Sequence, residues 1–218
     1  MRITHRRPVT RTLLVVAAAV TIFAGCDSTT TDAGDEATAY VLVANQGNFG
    51  DGNGSVTRYE PETGNVSTSL AQPGSIIQSI LVRDDLLFVV MNTGDRIDVV
   101  DQSRGLISQI VDVPSPRYLA WVDADRMLVS NLFDNTVSVL DLTSGSVVAA
   151  VDVGPNPEGI LVVGGLAYVA NHGFGSGNSV SIVDVAKNQV VRTMDLPCDG
   201  PRFVFSDKQD ELWVVCTG

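Results

Sequence analysis

The sequence is poor in basic residues, histidine and cysteine. Its 218 residues include 14 Lys and Arg against 25 Asp and Glu, two His and three Cys, which gives a formal net charge of −11. Four of the arginines precede residue 25, so the rest of the chain holds 10 basic and 25 acidic residues. Such an acidic surface repels phosphate backbones, and we expect no nucleic-acid partner. With so few His and Cys, we also predict no metal site and no cofactor.

Helical periodicity and long apolar runs are also missing. No ten-residue stretch repeats its apolar positions at the spacing of a helix, and no run reaches the length of about 18 residues that a transmembrane helix needs. The hydrophobic residues, 44% of the chain, occur instead in short β-branched segments bounded by Gly, Asn and Asp. This pattern predicts an all-β protein.

The first 38 residues have the layout of an export signal and a tether. A basic stretch, residues 2–11, precedes an apolar run, residues 13–23, whose last residue begins the sequence Phe23-Ala24-Gly25-Cys26. This order resembles a bacterial lipobox, which implies a signal peptide over 1–25 and a lipidated Cys26. An ordinary signal peptide followed by a chance cysteine is the alternative. Residues 26–38 are polar, small and acidic, and we expect them to form a flexible tether.

A repeat of about forty residues follows the tether. Four segments of the pattern apolar–apolar–small–Asn end at Asn45, Asn92, Asn131 and Asn171. Each precedes a polar loop and an alternating strand that ends in an acid, at Glu60, Asp101, Asp141 and Asp184, with spacings of 41, 40 and 43 residues. The next turn offers a residue suited to positive φ, namely Gly64, Gly105, Gly145 or Asn188.

Four short strands per repeat predict one propeller blade, because a single small sheet cannot bury both of its faces alone. The fold class is therefore an all-β propeller of four-stranded antiparallel blades over residues 39–218. Residues 151–191 resemble the YVTN or YncE-type propeller repeat. That family commonly has about seven blades, whereas about four and a half are present here. We therefore expect a truncated sequence, with a short propeller as the alternative.

Alignment of the innermost strands places four polar residues at equivalent positions at the mouth of the central channel: Gln78, Arg117, Glu158 and Arg202. The resembled repeat usually has an apolar residue there. A variable polar position within a repetitive frame predicts a ligand site. The alternative is that the two arginines and the glutamate only pair with one another.

Three loops on the same face contain a phenylalanine, at Phe49, Phe133 and Phe174, and His172 lies beside the last. These rings can stack on a sugar or a planar ligand, or they can cap the apolar gaps between blades. The recurrent asparagines are predicted to be structural, each amide bonding the backbone of its loop.

The cysteines Cys198 and Cys216 are predicted to lie on this face, and Cys216 replaces the repeat asparagine. In an oxidising envelope they are candidates for a disulfide. Gly173, Gly175 and Gly177 imitate a phosphate loop, but no helix follows, so we interpret them as turn glycines. No nucleophile turn accompanies His172, and we predict no enzyme.

The segment 44–66 resembles surface lipoprotein propellers of outer-membrane uptake systems, some of which capture cobalamin for a TonB-dependent transporter. The resemblance implies a lipid-anchored binding protein at the outer membrane or cell surface, rather than the inner membrane, that captures a small molecule or a glycan. A structural or adhesive module that contacts an envelope protein is the alternative. A propeller lactonase or quinoprotein is the third possibility, and it lacks the required channel ligands.

Overall fold

A computed structural model describes residues 40–68, 75–101, 104–207 and 211–218. The predicted signal peptide (1–25), Cys26 and the tether (26–38) lie outside the described residues. Regular structure in the described part is almost entirely β-strand, with two single-turn 3-10 helices at Asn92–Gly94 and Gly173–Gly175. None of the helices described here is long and apolar enough to span a membrane.

In the described part of the chain, seventeen strands form five antiparallel sheets, which we number as blades 1 to 5. Blade 1 contains β1 (Val41–Asn45), β2 (Ser55–Glu60) and β3 (Asn65–Thr68). Blade 2 contains β4 (Ile77–Arg83), β5 (Leu86–Met91), β6 (Arg96–Asp101) and β7 (Gly105–Val111). Blade 3 contains β8 (Pro116–Trp121), β9 (Arg126–Asn131), β10 (Thr136–Asp141) and β11 (Ser146–Asp152). Blade 4 contains β12 (Pro157–Val163), β13 (Leu166–Asn171), β14 (Ser179–Asp184) and β15 (Gln189–Asp195). Blade 5 contains β16 (Pro201–Ser206) and β17 (Leu212–Cys216).

The sheet order confirms the predicted fold class. Strands follow one another from the innermost to the outermost position in blades 2, 3 and 4, and the described residues form an open, partial β-propeller. The predicted alternating strands coincide with β2, β6, β10 and β14. The four predicted turn residues all have positive φ, and Asn188, the one that is not glycine, has a φ of 51°. Asparagine tolerates this region because its short side chain bonds locally.

The core lies between blades rather than within one central cluster. Strand β5 is buried on both faces, because each sheet is covered by a neighbouring sheet on either side. One buried cluster joins blades 2 and 3 and includes Phe88, Ile110 and Met127. A second joins blades 3 and 4 through aliphatic residues. Each fully buried side chain of this size contributes about 1.5–3 kcal/mol to folding.

The recurrent asparagines connect two strands of the same blade. The Asn131 Nδ2 atom donates to the hydroxyls of Thr136 and Ser138 at 2.8 and 2.7 Å. Asn171 makes the same pair of bonds to Ser179 and Ser181 at 3.0 Å. We call this arrangement, an asparagine bonded to two hydroxyls of the next strand, the asparagine bridge.

Asn45 forms a third asparagine bridge, to Ser55 and Thr57 at 3.1 and 2.8 Å. The predicted bonds to the loop backbone are therefore wrong for these three asparagines, since the adjacent strand presents hydroxyls at the right spacing. Asn92 is the exception, because it lies one residue beyond the bridge position, which Met91 holds opposite Arg96. Its amide donates to the backbone oxygen of Pro116 at 3.0 Å. Blade 2 lacks the two hydroxyls and has Arg96 and Asp98 in their places.

Candidate functional site

The predicted channel residues all lie in β-bulges at the start of the innermost strands. The register of the inner strand shifts at this place in blades 2 to 5. A bulge leaves a residue outside the regular ladder and re-aims its side chain, which is why bulges are frequent near functional sites. The four residues concerned, which we call the mouth cluster, are Gln78, Arg117, Glu158 and Arg202.

Arg117 is fully engaged by its neighbours in the mouth cluster. Its Nε and Nη2 atoms donate to the two carboxylate oxygens of Glu158 at 2.9 and 2.6 Å. Its Nη1 atom donates to Gln78 Oε1 at 2.5 Å, and the Gln78 amide donates onward to the hydroxyl of Tyr118 at 3.4 Å. The side chains of Arg117 and Glu158 are only 13% and 4% exposed. This bidentate pair is therefore a closed, nearly buried unit of zero net charge.

Arg202 occupies the equivalent position in blade 5 and is not engaged in this way. Its Nε atom is buried without a hydrogen-bond acceptor among the described residues, and no carboxylate described here lies within ion-pair distance of it. Its guanidinium lies 5.5 Å from the ring centroid of Phe203. The alternative that Arg117, Glu158 and Arg202 all pair with one another therefore holds for the first two only.

The mouth cluster opens into a cavity of about 660 Å³ on the loop face, which we call the mouth cavity. Seven of the eight predicted ligand-binding residues line it: Phe49, Phe133, Phe174, His172, Arg117, Glu158 and Arg202. The eighth, Gln78, supports the cavity through its bond to Arg117. The structure thus brings the predicted residues together, while ligand binding by them stays a prediction.

The three phenylalanines do not cap the gaps between blades. Phe49, Phe133 and Phe174 are 77%, 63% and 65% exposed, so the capping alternative does not describe them. Phe133 and Phe174 contact each other, with ring centroids 6.0 Å apart and planes tilted by 41°. Such pairs are within the range of favourable aromatic contact. Two blades therefore contribute to one aromatic wall beside the mouth cluster.

The backbone at Phe174 is strained. Its φ and ψ of 52° and 36° lie in the left-handed region, which costs a residue with a side chain about 1–2 kcal/mol. The flanking Gly173 and Gly175 also have positive φ, at 57° and 95°, so the glycines act as turn residues, as predicted. Strain of this kind is concentrated at functional sites, and here it holds a phenyl ring at the cavity rim.

His172 lies at the edge of the cavity, where its Nε2 atom is 3.2 Å from the hydroxyl of Thr217. Burial lowers the pKa of the imidazole, Glu158 opposes this effect, and Arg202 and Arg117 lower the pKa further. Because the ordinary value is about 6.5, the ring is neutral at neutral pH. His172 therefore adds a polar group to the cavity without adding charge.

The structure joins Cys198 and Cys216 in a disulfide, with Cα atoms 6.2 Å apart. The bond connects the loop that enters β16 with the end of β17, beside Thr217. This segment also contacts the loop of Phe174, since the backbone amide of Gly200 donates to the Gly177 carbonyl at 2.6 Å. The disulfide thus supports the blade 5 side of the mouth cavity.

Sequence reasoning missed several cavity residues, including Thr93, Asp95, Ser115 and Leu132. Asp95 precedes β6 with a φ of 47°, and its carboxylate accepts the Ser115 amide at 2.7 Å. In the next repeat Asn135, with a φ of 57°, bonds the amide of Asn156 at 2.8 Å. An Asp or Asn directly before each of these strands was the signal, because both residues favour left-handed turns. These bonds hold the outer loop of one blade against the entry loop of the next.

A second cavity, of about 390 Å³, lies between blades 2 and 3 at the opposite end of the strands. Phe88 and Trp121 meet there edge to face at 5.2 Å, and the Arg83 guanidinium lies 4.7 Å from the Trp121 ring. Arg83 also donates to the backbone oxygens of Asp123 and Ala124 at 3.2 and 3.3 Å. Arg83, Phe88 and Trp121 of this cavity thus already contact other groups of the protein.

Among the residues that the structure describes, no group of three or more His, Cys, Asp or Glu is placed to hold a metal ion.

Solved structures with similar folds include β-propellers. The chain is similar to the WD40 β-propeller domain of Doa1, with 13% identity over 80% of this chain and 56% of that one and a TM-score of 0.64. It is also similar to a catalytically inactive virginiamycin B lyase from Staphylococcus aureus with quinupristin, with 13% identity, 82% and 60% coverage and a TM-score of 0.65. Hydrazine synthase of Kuenenia stuttgartiensis matches at 22% identity, with 64% and 42% coverage and a TM-score of 0.60.

These similarities show the fold alone, because every identity is low. The chain spans 42–60% of the length of these three proteins. No protein-family model matches the chain, and no curated protein sequence matches it significantly. The β-propeller fold is thus established, and the resemblance to the YVTN or YncE-type family stays a prediction.

Proposed function

We propose that the chain is a lipid-anchored binding protein of the bacterial cell envelope that captures a small molecule or a glycan in the mouth cavity. The observation that carries the proposal is the convergence of seven residues, chosen from the repeat alone, on one cavity of about 660 Å³. Ligand pockets of proteins are commonly about 300–1,000 Å³ and combine apolar walls with a few convergent polar groups.

The repeat supports this proposal from a second direction. The asparagine bridges use the same residue types in blades 1, 3 and 4, because they serve the same purpose in each blade. The mouth cluster has a different residue in nearly every blade, although the bulge that presents it is retained. Variation at a retained position beside a cavity is the pattern of a recognition surface.

The predicted anchor adds the cellular setting. Lipidation of Cys26 would hold the propeller at a membrane through the tether of residues 26–38, and the resemblance to uptake lipoproteins favours the outer membrane or the cell surface. In that setting a captured ligand passes to an envelope partner such as a TonB-dependent transporter. The acidic chain, with a net charge of −11, is unsuited to nucleic acid.

A binding screen tests the proposal. The mature protein is exposed to corrinoids, glycans and small aromatic acids, and thermal shifts are followed by calorimetric titration. A ligand of this cavity should lose affinity when Phe174 is replaced by alanine. The control Phe205→Ala removes another half-exposed ring, on β16 but outside the lining of the mouth cavity, and should bind as the wild type does. Unchanged affinity in Phe174→Ala, or no ligand in the whole screen, would count against the proposal.

A second candidate function is contact with another protein, and the exposure of Phe49, Phe133 and Phe174 favours it. Aromatic rings are enriched at the centres of protein interfaces. Recovery of one envelope protein by the wild type, but not by a Phe133→Ala and Phe174→Ala double variant, would support this role. The sequence predicts no enzyme, and the fold leaves that prediction open, because propeller neighbours include a lyase.

A further inference from the structure

We infer that the ligand of the mouth cavity joins a flat aromatic ring to an anionic group, with Arg202 binding the anion and Phe133 and Phe174 binding the ring. The inference rests on the proposed function and specifies the chemistry of its ligand. It follows from which polar groups of the cavity are already engaged and which are not.

One of the two arginines that line the mouth cavity is neutralised by a carboxylate and the other is not. The carboxylate of Glu158 neutralises Arg117 through two hydrogen bonds, and Gln78 occupies the remaining terminal nitrogen. The other carboxylate in the lining, that of Asp95, accepts a backbone amide at the rim. Arg202 is the cation left without an acceptor in the described part of the cavity. An uncommitted guanidinium in a partly enclosed site favours an anion, which it can bind through two parallel bonds.

This local charge is opposite to that of the protein as a whole. The chain carries 25 acidic residues against 14 basic ones, so its average surface disfavours anions. Two arginines nevertheless occupy equivalent bulges around one channel, and only one of them has a partner glutamate. The positive charge of Arg202 therefore attracts an anion to this one cavity, although the net charge of the protein disfavours anions elsewhere.

The aromatic half of the inference rests on Phe174 and Phe133. Their rings form a tilted wall at 6.0 Å, more than half exposed, on the rim of the cavity that Arg202 lines. Phe174 is presented by a strained left-handed backbone, a conformation that phenylalanine rarely adopts. Apolar area alone would not require such a conformation, whereas a ring held at a fixed angle is suited to stacking on another flat ring.

The test uses four probes of similar size. Three of them separate charge from aromaticity: 2-naphthoate, its neutral amide 2-naphthamide, and the saturated acid decahydro-2-naphthoate. The fourth, 2-naphthyl phosphate, compares a phosphate with a carboxylate as the anion. Calorimetric titration into the mature wild-type protein should rank both aromatic anions about 10-fold or more above the amide, from the loss of charged hydrogen bonds. They should also rank about 3- to 10-fold above the saturated acid.

Variants locate the two contributions. Arg202→Gln should reduce naphthoate affinity to that of the amide without changing affinity for the amide. Arg192→Gln removes the same charge from an exposed position on β15 and should leave binding unchanged. Phe174→Ala should weaken naphthoate and naphthamide by the same factor. The circular dichroism spectrum and melting temperature of each variant establish that it is folded, and the ranking of probes by the wild type needs no variant.

The outcomes separate this inference from the proposed function. Equal affinity for naphthoate and its amide, or unchanged naphthoate binding by Arg202→Gln, would overturn the inference. If a neutral corrinoid or glycan binds and is lost in Phe174→Ala while naphthoate does not compete, the proposed function stands and the anionic aromatic class is wrong. If the broad screen and all four probes fail to bind, both proposals are wrong.

Discussion

The asparagine bridges and the mouth cluster lie at the same end of the blades, yet the repeat treats them differently. Asn131 and Asn171 make the same two bonds to hydroxyls of the neighbouring strand in successive blades. The mouth cluster, only one strand further inward, presents an amide, two guanidinium groups and a carboxylate. A hydrogen bond between two strands of one blade can recur in every blade, because each repeat places the same residues around it. Side chains from several blades that line one cavity do not need to be identical, because each contacts a different part of that cavity.

Blade 2 shows what happens when a bridge is replaced. Asp98 is buried beside Arg96, with Arg96 Nε and Gln109 Nε2 both donating to its Oδ1 atom at 2.8 Å. Its Oδ2 atom has no partner among the described residues. Blade 2 thus holds a buried charge where its neighbours have neutral hydroxyls, and buried ion pairs are seldom more stable than neutral replacements.

The largest effect is expected from breaking the engaged pair of the mouth cluster. Arg117→Ala should lower the free energy of unfolding by about 3–5 kcal/mol, because it leaves the buried Glu158 carboxylate without its partner. Urea denaturation monitored by circular dichroism measures the change. The double variant Arg117→Met with Glu158→Leu removes both charges and should lie within about 2 kcal/mol of the wild type. Equal losses in the single and double variants would show that packing, not charge, holds this place.

The disulfide is the next strongest element, and it stands where blade 5 lacks its asparagine. Replacing both Cys198 and Cys216 with serine should lower the free energy of unfolding by about 3 kcal/mol, from the chain entropy of a loop of this length. The melting temperature with and without reductant measures the loss in the wild type. The double serine variant should not respond to reductant. A reductant effect of the same size in that variant would contradict the assignment.

Removing the buried charge from blade 2 should stabilise the protein. Arg96→Thr with Asp98→Ser gives β6 the two hydroxyl residues that blade 3 has there, and it removes a buried carboxylate with an unpartnered oxygen. No bridge forms in this variant, because Met91 stands opposite residue 96 where blade 3 has Asn131 opposite Thr136. We expect the free energy of unfolding to rise by about 1–2 kcal/mol, as buried ion pairs replaced by neutral residues commonly show. The reciprocal exchange in blade 3, Thr136→Arg with Ser138→Asp, is the matched control and should be destabilising. Stability lost in both exchanges would mean that each blade has its own packing requirement.

The smallest effect concerns the pH dependence of stability. The mouth cavity contains a histidine that titrates near neutral pH, whereas the asparagine bridges contain no titratable group. Burial lowers the pKa of His172 in the folded protein, so between the ordinary value of about 6.5 and the folded value the unfolded chain binds more protons. The contribution of His172 to stability is therefore lost as the pH falls below about 6.5. Three charged groups also act on the pKa of His172. Glu158, from β12, raises it, whereas Arg202 and Arg117, from β16 and β8, lower it.

The comparison that isolates this effect is between the wild type and His172→Gln. The difference between their free energies of unfolding should decrease from about pH 7.5 to about pH 5.5, the range in which histidine titrates. Protonation of His172 also adds a positive charge to the cavity, so an anionic ligand should bind more tightly at the lower pH. A constant difference between the two proteins across this range would exclude the imidazole as the titrating group.

Much of the fold follows from the sequence, because every blade repeats the same signals. The bounds of β6 and β10 and the positive φ of Asn188 were readable from alternation and turn residues alone. The partners of the repeat asparagines were not read correctly, although the motif Thr136-Val137-Ser138 offered two hydroxyls on one face of a strand. A side-chain bond between strands competes with a local backbone bond, and spacing alone does not decide between them.

The sequence predicts which residues form the candidate site, but it does not predict which of them bond one another. Glu158 lies on the strand between Arg117 and Arg202, so either arginine is a plausible partner from the order of blades. Two hydrogen bonds to Glu158 and a third to Gln78 decide for Arg117. The presentation of Phe174 depends on its own left-handed backbone, and the cavity beside Trp121 depends on packing between two blades. The flanking glycines indicate a turn but not the conformation of Phe174, and packing between blades leaves no pattern in the sequence.

The bulge at the start of each inner strand makes this propeller a convenient frame for engineering new specificity. A side chain placed in such a bulge enters the channel without being counted in the regular pairing of its sheet. Arg202 can therefore be randomised singly in a selection library, whereas Gln78, Arg117 and Glu158 need to be exchanged together because they bond one another. Four adjacent blades would then present different combinations of recognition groups around one opening, and the other residues of the scaffold would stay unchanged.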